Sequence, residues 1–542
     1  LLCILIVPYL FISYNHIGED CFISFRYVEN LVKGNGLVFN PGEKVEGYSN
    51  FLWVMILALF RVFGVSEIAA SKLLGVLFMV FILWVTSYYS LKKKQRKISW
   101  IYLAAPIMIF FNPMLHYHTG RGLETILFAF LFIWAAFSFK RRNYANSSFA
   151  FAGLALTRPE GFVYFWLFLP MLFLDMRYSK AEKLDFTVPH IRFRFLTPYL
   201  AIVIPFLIWR LMYYGKIFPN TVYAKTQPFN WFHNPSLHML LQFVISWSYV
   251  PLFAALSVFT IKWEKLIQAK KSPEEKVDLK PYYEHKRSLV IVLILTGSIL
   301  LYTLVIGKVQ ASPFRHYVPM IPLIVIMFQE FLHSLKLRVE DNLPFIISLF
   351  VIFMLMNFYT SNNLDSPKTR LHSRTFQFLS SWNFPARVSW FFEDPIIINA
   401  QAGRWCDANL PAKTVIGADQ IGQFGYYAQH QDILDLLGLT DEEFAEQGYS
   451  LDLLLEKSPD YLALLGYLGE GEPFLKEIAR SFEKPEFKEN YALRWIIRPN
   501  NEINKTEFLI YVRKDRLPEL PPEPEIIFLG PDTETWEEKL RV

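Results

Sequence analysis

Apolar stretches of about 18 to 20 residues recur from the first residue to about Thr360 and then stop. Segments of that length cross a bilayer as helices, because no water is present in the hydrocarbon to satisfy an open backbone. With 53% hydrophobic and 17% aromatic residues and a positive mean hydropathy, the chain reads as a polytopic α-helical membrane protein followed by a tail of different character. About eleven spans are expected, near residues 1–14, 68–90, 98–112, 123–139, 146–157, 160–176, 195–213, 238–261, 288–306, 317–335 and 343–360. The first, "LLCILIVPYLFISY", is short for a crossing and is expected to be the remainder of a span that starts before Leu1. A signal peptide is the other reading, but no small-residue cleavage site precedes the acidic pair.

The net charge of +5 is modest and the basic residues are clustered, which excludes a nucleic-acid surface as the main function. "KKKQRK" (92–97), "KRRN" (140–143), "MRYSKAEK" (176–183) and "KWEKLIQAKKSPEEK" (262–276) fall on one side if the spans alternate. By the bias of Lys and Arg that side is the cytoplasm. The loops rich in Gly, Pro, Tyr, His and paired charges then lie outside, together with everything after residue 361. The expected location is therefore a bacterial inner (cytoplasmic) membrane, with the informative chemistry extracytoplasmic. One helix broken at Pro159 would reverse this parity downstream and put the later basic clusters outside, so two spans are preferred there.

The chain divides into residues 1–360, with a first outer loop at about 15–66, and residues 361–542. In the tail, "TVIGA", "ILDLLGL", "PDYLALLG" and "TEFLIYVRK" read as strands and "DEEFAEQ" as helix, which predicts a C-terminal extracytoplasmic α/β domain. Its end, "LPELPPEPEIIFLGPDTE", is expected to be extended or loosely attached. The three cysteines, Cys3, Cys21 and Cys406, encode neither a zinc ribbon nor a disulfide framework.

The first loop opens "GEDCFISFRY" and continues with turns at Gly34-Asn35-Gly36 and Asn40-Pro41-Gly42. As a helix it places Asp20, Ser24 and Tyr27 on one face and Glu19, Ile23 and Arg26 on the next. Glu19 and Arg26 are then expected to neutralise each other, which leaves Asp20 free as a base in a lowered dielectric. The alternative is that the two acids only cap a helix. Likewise Arg158 could simply pair with Glu160, and Arg121 with Glu124 three residues on. His116, His118 and His316 could suggest a metal, but no ligand set is fixed by spacing. A divalent cation is the one cofactor left open.

"EDCFISFRYVENLVKGNGLVFNPGEKVEGYSNFLW" resembles the first extracytoplasmic loop of GT-C membrane glycosyltransferases, specifically those similar to the terminal β-(1,2)-arabinofuranosyltransferase of mycobacterial cell walls. The resemblance continues in order through "TGRGLET", "LTRPEG", "YYGKIFPNTVYAK", "PFRHYVPMIPL" and "DLLGLTD". It implies an enzyme that takes a sugar from a polyprenyl-phosphate donor to a cell-envelope glycan or glycolipid acceptor, among membrane lipids and with no nucleic acid. A first-loop acid is the usual base, which maps onto Asp20 with Glu19 beside it. Two departures stand out: Glu19-Asp20 where the family often has Asp-Asp, and Gly307-Lys308 followed by Arg315-His316 where it often has Gly-Asp before Arg-Phe.

The chemistry of such a donor agrees. A polyprenyl phosphate leaves as a stable anion, so transfer needs a base for the acceptor hydroxyl and cations for the phosphate, whereas a glycosidase needs two flanking carboxylates. Arg315, Lys225, Lys216 and Arg121 are the expected phosphate ligands. Arg26, Tyr27, Glu46, Tyr48, Asn50, Glu124, Arg158, Glu160, Asn220 and His316 are the expected lining of the sugar and acceptor pocket. In "TVIGADQIGQFGYYAQ" acceptor contact competes with plain packing of Gly417, Gly422 and Gly425. A lipid-linked sugar flippase and a non-catalytic polymer-binding protein are the rival classes; the flippase would need its polar groups at mid-membrane depth.

Overall fold

The computed structural model describes residues 17–91, 104–110, 112–173, 188–225, 315–334, 396–516 apart from 468, 472, 474 and 500–505, and 523–529. The spans expected near 1–14, 238–261, 288–306 and 343–360 lie outside the described residues, as do Cys3, the Gly307-Lys308 pair and the basic cluster at 262–276.

Eleven described helices precede the tail: α1 (Cys21–Val32), α2 (Phe51–Val62), α3 (Glu67–Leu91), α4 (Ala104–Phe110), α5 (Pro113–Thr119), α6 (Thr125–Lys140), α7 (Tyr144–Thr157), α8 (Glu160–Leu167), α9 (Val188–Tyr214), α10 (Asn220–Lys225) and α11 (Met320–Ser334). By length and composition, two segments among the described residues are long and apolar enough to cross a membrane, Glu67–Tyr88 and Phe193–Tyr214, each of 22 residues. Thr125–Lys140 and Glu160–Phe173 are shorter apolar helices.

The "TRPEG" break has a local cause. Pro159 disfavours helical backbone at the residue before it, and Arg158 is extended at φ −158, ψ 148. The chain then doubles back: Phe151 of α7 meets Phe165 and Phe168 at 5.9 and 4.8 Å. Gly161 is needed at this crossing, since a Cβ there would come within 2.2 Å of the Leu154 carbonyl. α9 packs across the same pair, with Phe165 stacked 3.5 Å from Tyr199. Inside α9, Pro198 interrupts the ladder, and the next amide, Tyr199 N–H, donates to Ser148 Oγ of α7 at 2.9 Å.

The first loop is more structured than its polarity suggests. α1 is buried over Cys21–Asn30, and the Gly-Asn-Gly and Asn-Pro-Gly turns return the chain along it, with Asn30 Nδ2 donating to the carbonyls of Val38 and Phe39 at 3.0 and 2.8 Å. The loop also contains the apolar helix α2, which the span pattern passed over. Its 12 residues reach only about 18 Å, too short for a crossing. Leu59, Val62 and the following Phe63 are exposed.

The tail begins with α12 (Ile396–Asn409) and builds one six-stranded sheet in the order β2-β1-β3-β5-β4-β6. β1 (Val415–Ala418) pairs in parallel with β2 (Asp432–Asp435) and β3 (Tyr461–Tyr467). β5 (Thr506–Arg513) runs antiparallel between β3 and β4 (Tyr491–Pro499). β6 (Glu525–Leu529) adds to β4 in parallel, so the Pro-rich end expected to be loose supplies an edge strand. The "ILDLLGL" strand stops at Asp435, and its second half is the turn that carries Gly438 at φ 74.

Candidate active site

Asp20 is the last residue before α1, and its side chain makes no capping hydrogen bond there. Asp20 is partly exposed; Glu19 is partly exposed as a residue, but its carboxyl is packed against Gly422 and Gln423 of the tail, and the Gly18 amide donates to the Arg121 carbonyl at 3.0 Å. The Arg121 side chain lies against Gly18, with Nε 3.1 Å from where a Cβ would stand. Arg121 is therefore a neighbour of the acidic pair.

One turn beyond Asp20, Ser24 Oγ donates to Asn50 Oδ1 at 3.1 Å, and Asn50 Nδ2 donates to Glu124 Oε2 at 2.9 Å. The other oxygen, Glu124 Oε1, receives Arg315 Nη2 at 2.5 Å and Arg158 Nη1 at 3.4 Å. Arg158 Nε also meets Glu160 Oε1 at 2.5 Å, and its Nη2 donates to His316 Nδ1 at 2.9 Å. Five of the expected pocket residues, Asn50, Glu124, Arg158, Glu160 and His316, thus form one buried polar relay with Arg315, and it reaches α1 through Ser24. Burial, then the Arg158 charge, pushes His316 down to about 4, so it accepts as a neutral imidazole. The Arg158–Glu160 ion pair foreseen as a plain helix-break contact is present, but it is one link of this relay.

Other expected pocket residues are occupied elsewhere. Arg26 does not pair with Glu19; its guanidinium donates to the carbonyls of Phe39, Gly425, Ala428 and Gln431 and to Asn40 Oδ1. Three of those carbonyls belong to the tail, so Arg26 is a strut between loop and domain. Burial lowers it to about 10, which leaves it charged at neutral pH. The Glu46 carboxylate is taken by Arg210 of α9, with Nε–Oε2 at 2.9 Å and Nη2–Oε1 at 3.0 Å. Tyr27 OH is spent between Val45 O and Gly47 N–H, both at 2.7 Å, and Tyr48 OH meets Tyr214 OH at 3.2 Å.

Asn220 donates to the carbonyls of Gly438 and Asp441 at 2.9 Å. Lys216, expected on a phosphate, bridges to Glu442 and Glu446 of the tail at 3.4 and 3.1 Å. Lys225 closes α10, and its side chain lies outside the described residues. Among the described residues no group of three His, Cys, Asp or Glu could hold a metal ion. His116 is buried, with Nε2 against the Phe110 carbonyl, and burial pushes it down to about 4.

The tail contributes groups that the sequence reading did not single out. The Glu19 carboxyl turns onto it: Gln423 N–H donates to Glu19 Oε1 at 3.2 Å. Asp419 follows β1 and Asp435 ends β2, both buried. Burial raises Glu19 to about 8, Glu46 and Asp419 to about 7, and Asp435 to about 6. Each binds its proton more tightly folded than unfolded, so each favours the folded state at low pH and loses that contribution as pH rises from its ordinary value through its raised one. The joint between loop and tail is therefore expected to loosen between about pH 5 and pH 8. Hydrogen exchange of the amides at 419–440 checks this: exchange corrected for its intrinsic pH dependence should be several-fold faster at pH 8 than at pH 5.5.

Residues 393–511 match a family described as a domain of unknown function (DUF8728). Over 228 residues, 39% of this chain, the sequence is 27% identical to the terminal beta-(1->2)-arabinofuranosyltransferase of Mycobacterium tuberculosis. Over 244 residues, also 39% of the chain, it is 29% identical to the protein of the same name from Corynebacterium glutamicum. These matches span about a third of each relative, 35% and 33%. Among solved structures, ArnT from Cupriavidus metallidurans bound to undecaprenyl phosphate superposes with a TM-score of 0.54 at 11% identity, covering 94% of this chain and 96% of that one. Its apo state gives 0.56 at 10% identity, covering 94% and 97%. At those identities the likeness concerns the fold. The chain thus shares the fold of the ArnT structures, and over about two fifths of its length it resembles the terminal β-(1→2)-arabinofuranosyltransferases in sequence.

Proposed function

We propose that the chain is an inverting glycosyltransferase that moves a sugar from a polyprenyl-phosphate donor to a cell-envelope glycan, glycolipid or protein acceptor at the extracytoplasmic membrane face. The observation that carries this reading is the relay from Ser24 through Asn50 and Glu124 to Arg315. It ties the helix that begins at Asp20 to a pair of guanidiniums, the two kinds of group the reaction needs. Relatives named as arabinofuranosyltransferases, and a structural neighbour solved with undecaprenyl phosphate, support the substrate class.

In the proposed reaction Asp20 takes the proton of the acceptor hydroxyl, and that oxygen attacks the anomeric carbon from the face opposite the phosphate. The bond from carbon to phosphate oxygen breaks with its electron pair, so polyprenyl phosphate departs as an anion and the anomeric centre inverts. Arg315 meets that charge. Its side chain is 14% exposed while Nη2 is held by Glu124, so the rest of the guanidinium is available to a phosphate oxygen. Glu124 holds the guanidinium in place.

Undecaprenyl phosphate binding in nanodiscs, followed by native mass spectrometry, tests the donor half. Arg315→Gln should weaken it about tenfold, in line with one lost charge-assisted hydrogen bond. Unchanged affinity would remove Arg315 from the donor site.

A further inference from the structure

We propose that the tail-domain turn Asp419–Gln423 is the positioning element of the acidic pair, holding the Glu19 carboxyl so that Asp20, the next residue, faces the reacting atoms. The hold on Glu19 rests on geometry, and the consequence for Asp20 rests on the glycosyltransferase reading. The turn follows the carboxyl end of the central parallel strand β1, the edge at which α/β sheets present functional loops. Here that edge is closed by the first loop of the membrane domain.

The fit is close. A Cβ on Gly422 would stand 2.3 Å from both the Glu19 carbonyl oxygen and Glu19 Oε1, and 2.5 Å from Cδ. Only glycine lets the acid rest there. Beside it, Gln423 N–H donates to Glu19 Oε1 at 3.2 Å. At the head of the turn, Asp419 Oδ1 accepts from Leu465 N–H at 3.0 Å, which fixes the side chain to β3. Asp419 Oδ2 and Gln423 Oε1 are buried with no hydrogen-bond partner among the described residues. With the Glu19 carboxyl they form a cluster of two carboxyls and an amide oxygen that lacks a proton.

Glu19 is the group suited to carry it. The charged and titratable groups around it are Asp20, Cys21 and Arg121 from the membrane domain and Asp419 from the tail. Burial, then Asp20 and more weakly Asp419, raise Glu19 to about 8, against the pull of the Gly422 and Gln423 amides. A neutral Glu19 places no second negative charge beside Asp20 during transfer. The tail is then a working part of the centre.

The test uses the full chain in lipid nanodiscs, with pH-difference infrared spectroscopy and Glu19→Gln to assign the Glu19 band. Undecaprenyl phosphate serves as the separate probe of the donor site. A carboxylic-acid band should persist at neutral pH in the wild type and be missing in Glu19→Gln. Its midpoint should fall by about one unit in Gly422→Ala, which pushes the carboxyl out of the turn. It should also fall, by a smaller amount, in Asp419→Asn, which keeps the acceptor for Leu465 and removes only the charge. A midpoint that moves in neither variant, with both folded by melting temperature, overturns the proposal. So does a wild-type Glu19 that titrates like an ordinary glutamate. If the midpoint moves as expected while undecaprenyl phosphate does not bind, the glycosyltransferase reading fails and the hold of the turn on Glu19 stands.

Discussion

Asp20→Asn is expected to lower glycosyl transfer by about 10²- to 10⁴-fold, the range a positioned general base supplies, with the melting temperature unchanged. The substitution keeps the shape of the side chain and removes the proton acceptor. Because Asp20 makes no side-chain cap on α1, no hydrogen bond of the helix start is lost with its charge. The same change at Glu19 should behave differently. Glu19→Gln preserves a neutral side chain in the tail-domain turn, and a loss of about tenfold or less is expected. Equal losses at the two positions would mean that both acids act on the substrate.

Arg26→Met is expected to be the most damaging single change to the structure. It removes the donor for five acceptors, four of them main-chain carbonyls and three in the tail. Methionine has nearly the length of arginine but takes away the charged donor; the Phe39 and Ala428 carbonyls and Asn40 Oδ1 keep one other donor each, and the Gly425 and Gln431 carbonyls bear most of the loss, at about 1 to 3 kcal/mol each before relaxation. A net loss of about 3 to 5 kcal/mol is expected, and the tail should come away from the first loop. Limited proteolysis reports this directly: cleavage near the junction, at 428–433, should become at least tenfold faster than in the wild type. Asn40 supports the same joint by exchanging hydrogen bonds with Ile433, donating to its carbonyl at 2.9 Å and accepting from its amide at 3.0 Å. Asn40→Ala should therefore shift proteolysis in the same direction by a smaller amount.

What the sequence disclosed follows the range of the interactions involved. The "TRPEG" reversal was legible because proline acts on its immediate neighbour, and the turns of the first loop because glycine and Asn-Pro act locally. The polar relay gathers residues expected on the outer face as pocket lining, Asn50, Glu124, Arg158, Glu160 and His316, with Arg315, expected on the donor phosphate. Its wiring was not legible. Arg26 and Glu19 were paired because they are close along one helix, whereas the carbonyls that claim Arg26 lie about 400 residues away in sequence. Glu46 and Arg210 form a bidentate pair across 164 residues, which no local pattern encodes.

In the tail the missed elements are those whose alternation is interrupted. β4, "YALRWIIRP", carries Arg494 and Arg498 and a register shift between Leu493 and Trp495. A bulge of this kind breaks the two-residue period on which strand recognition rests. β6, "EIIFL", was hidden by the prolines before it, yet it pairs along its whole length with β4. The apolar helix α2 was passed over for the opposite reason: its composition suits a membrane, but at 12 residues it is too short to cross one.

The central claim is tested most directly by mass spectrometry of the envelope glycans made by the organism that encodes this chain, with the gene removed and then restored as wild type or as Asp20→Asn. The account predicts that one sugar residue is lost from those glycans on removal, returns with the wild type, and stays missing with Asp20→Asn. Unchanged glycans on removal, or full recovery with Asp20→Asn, would contradict it.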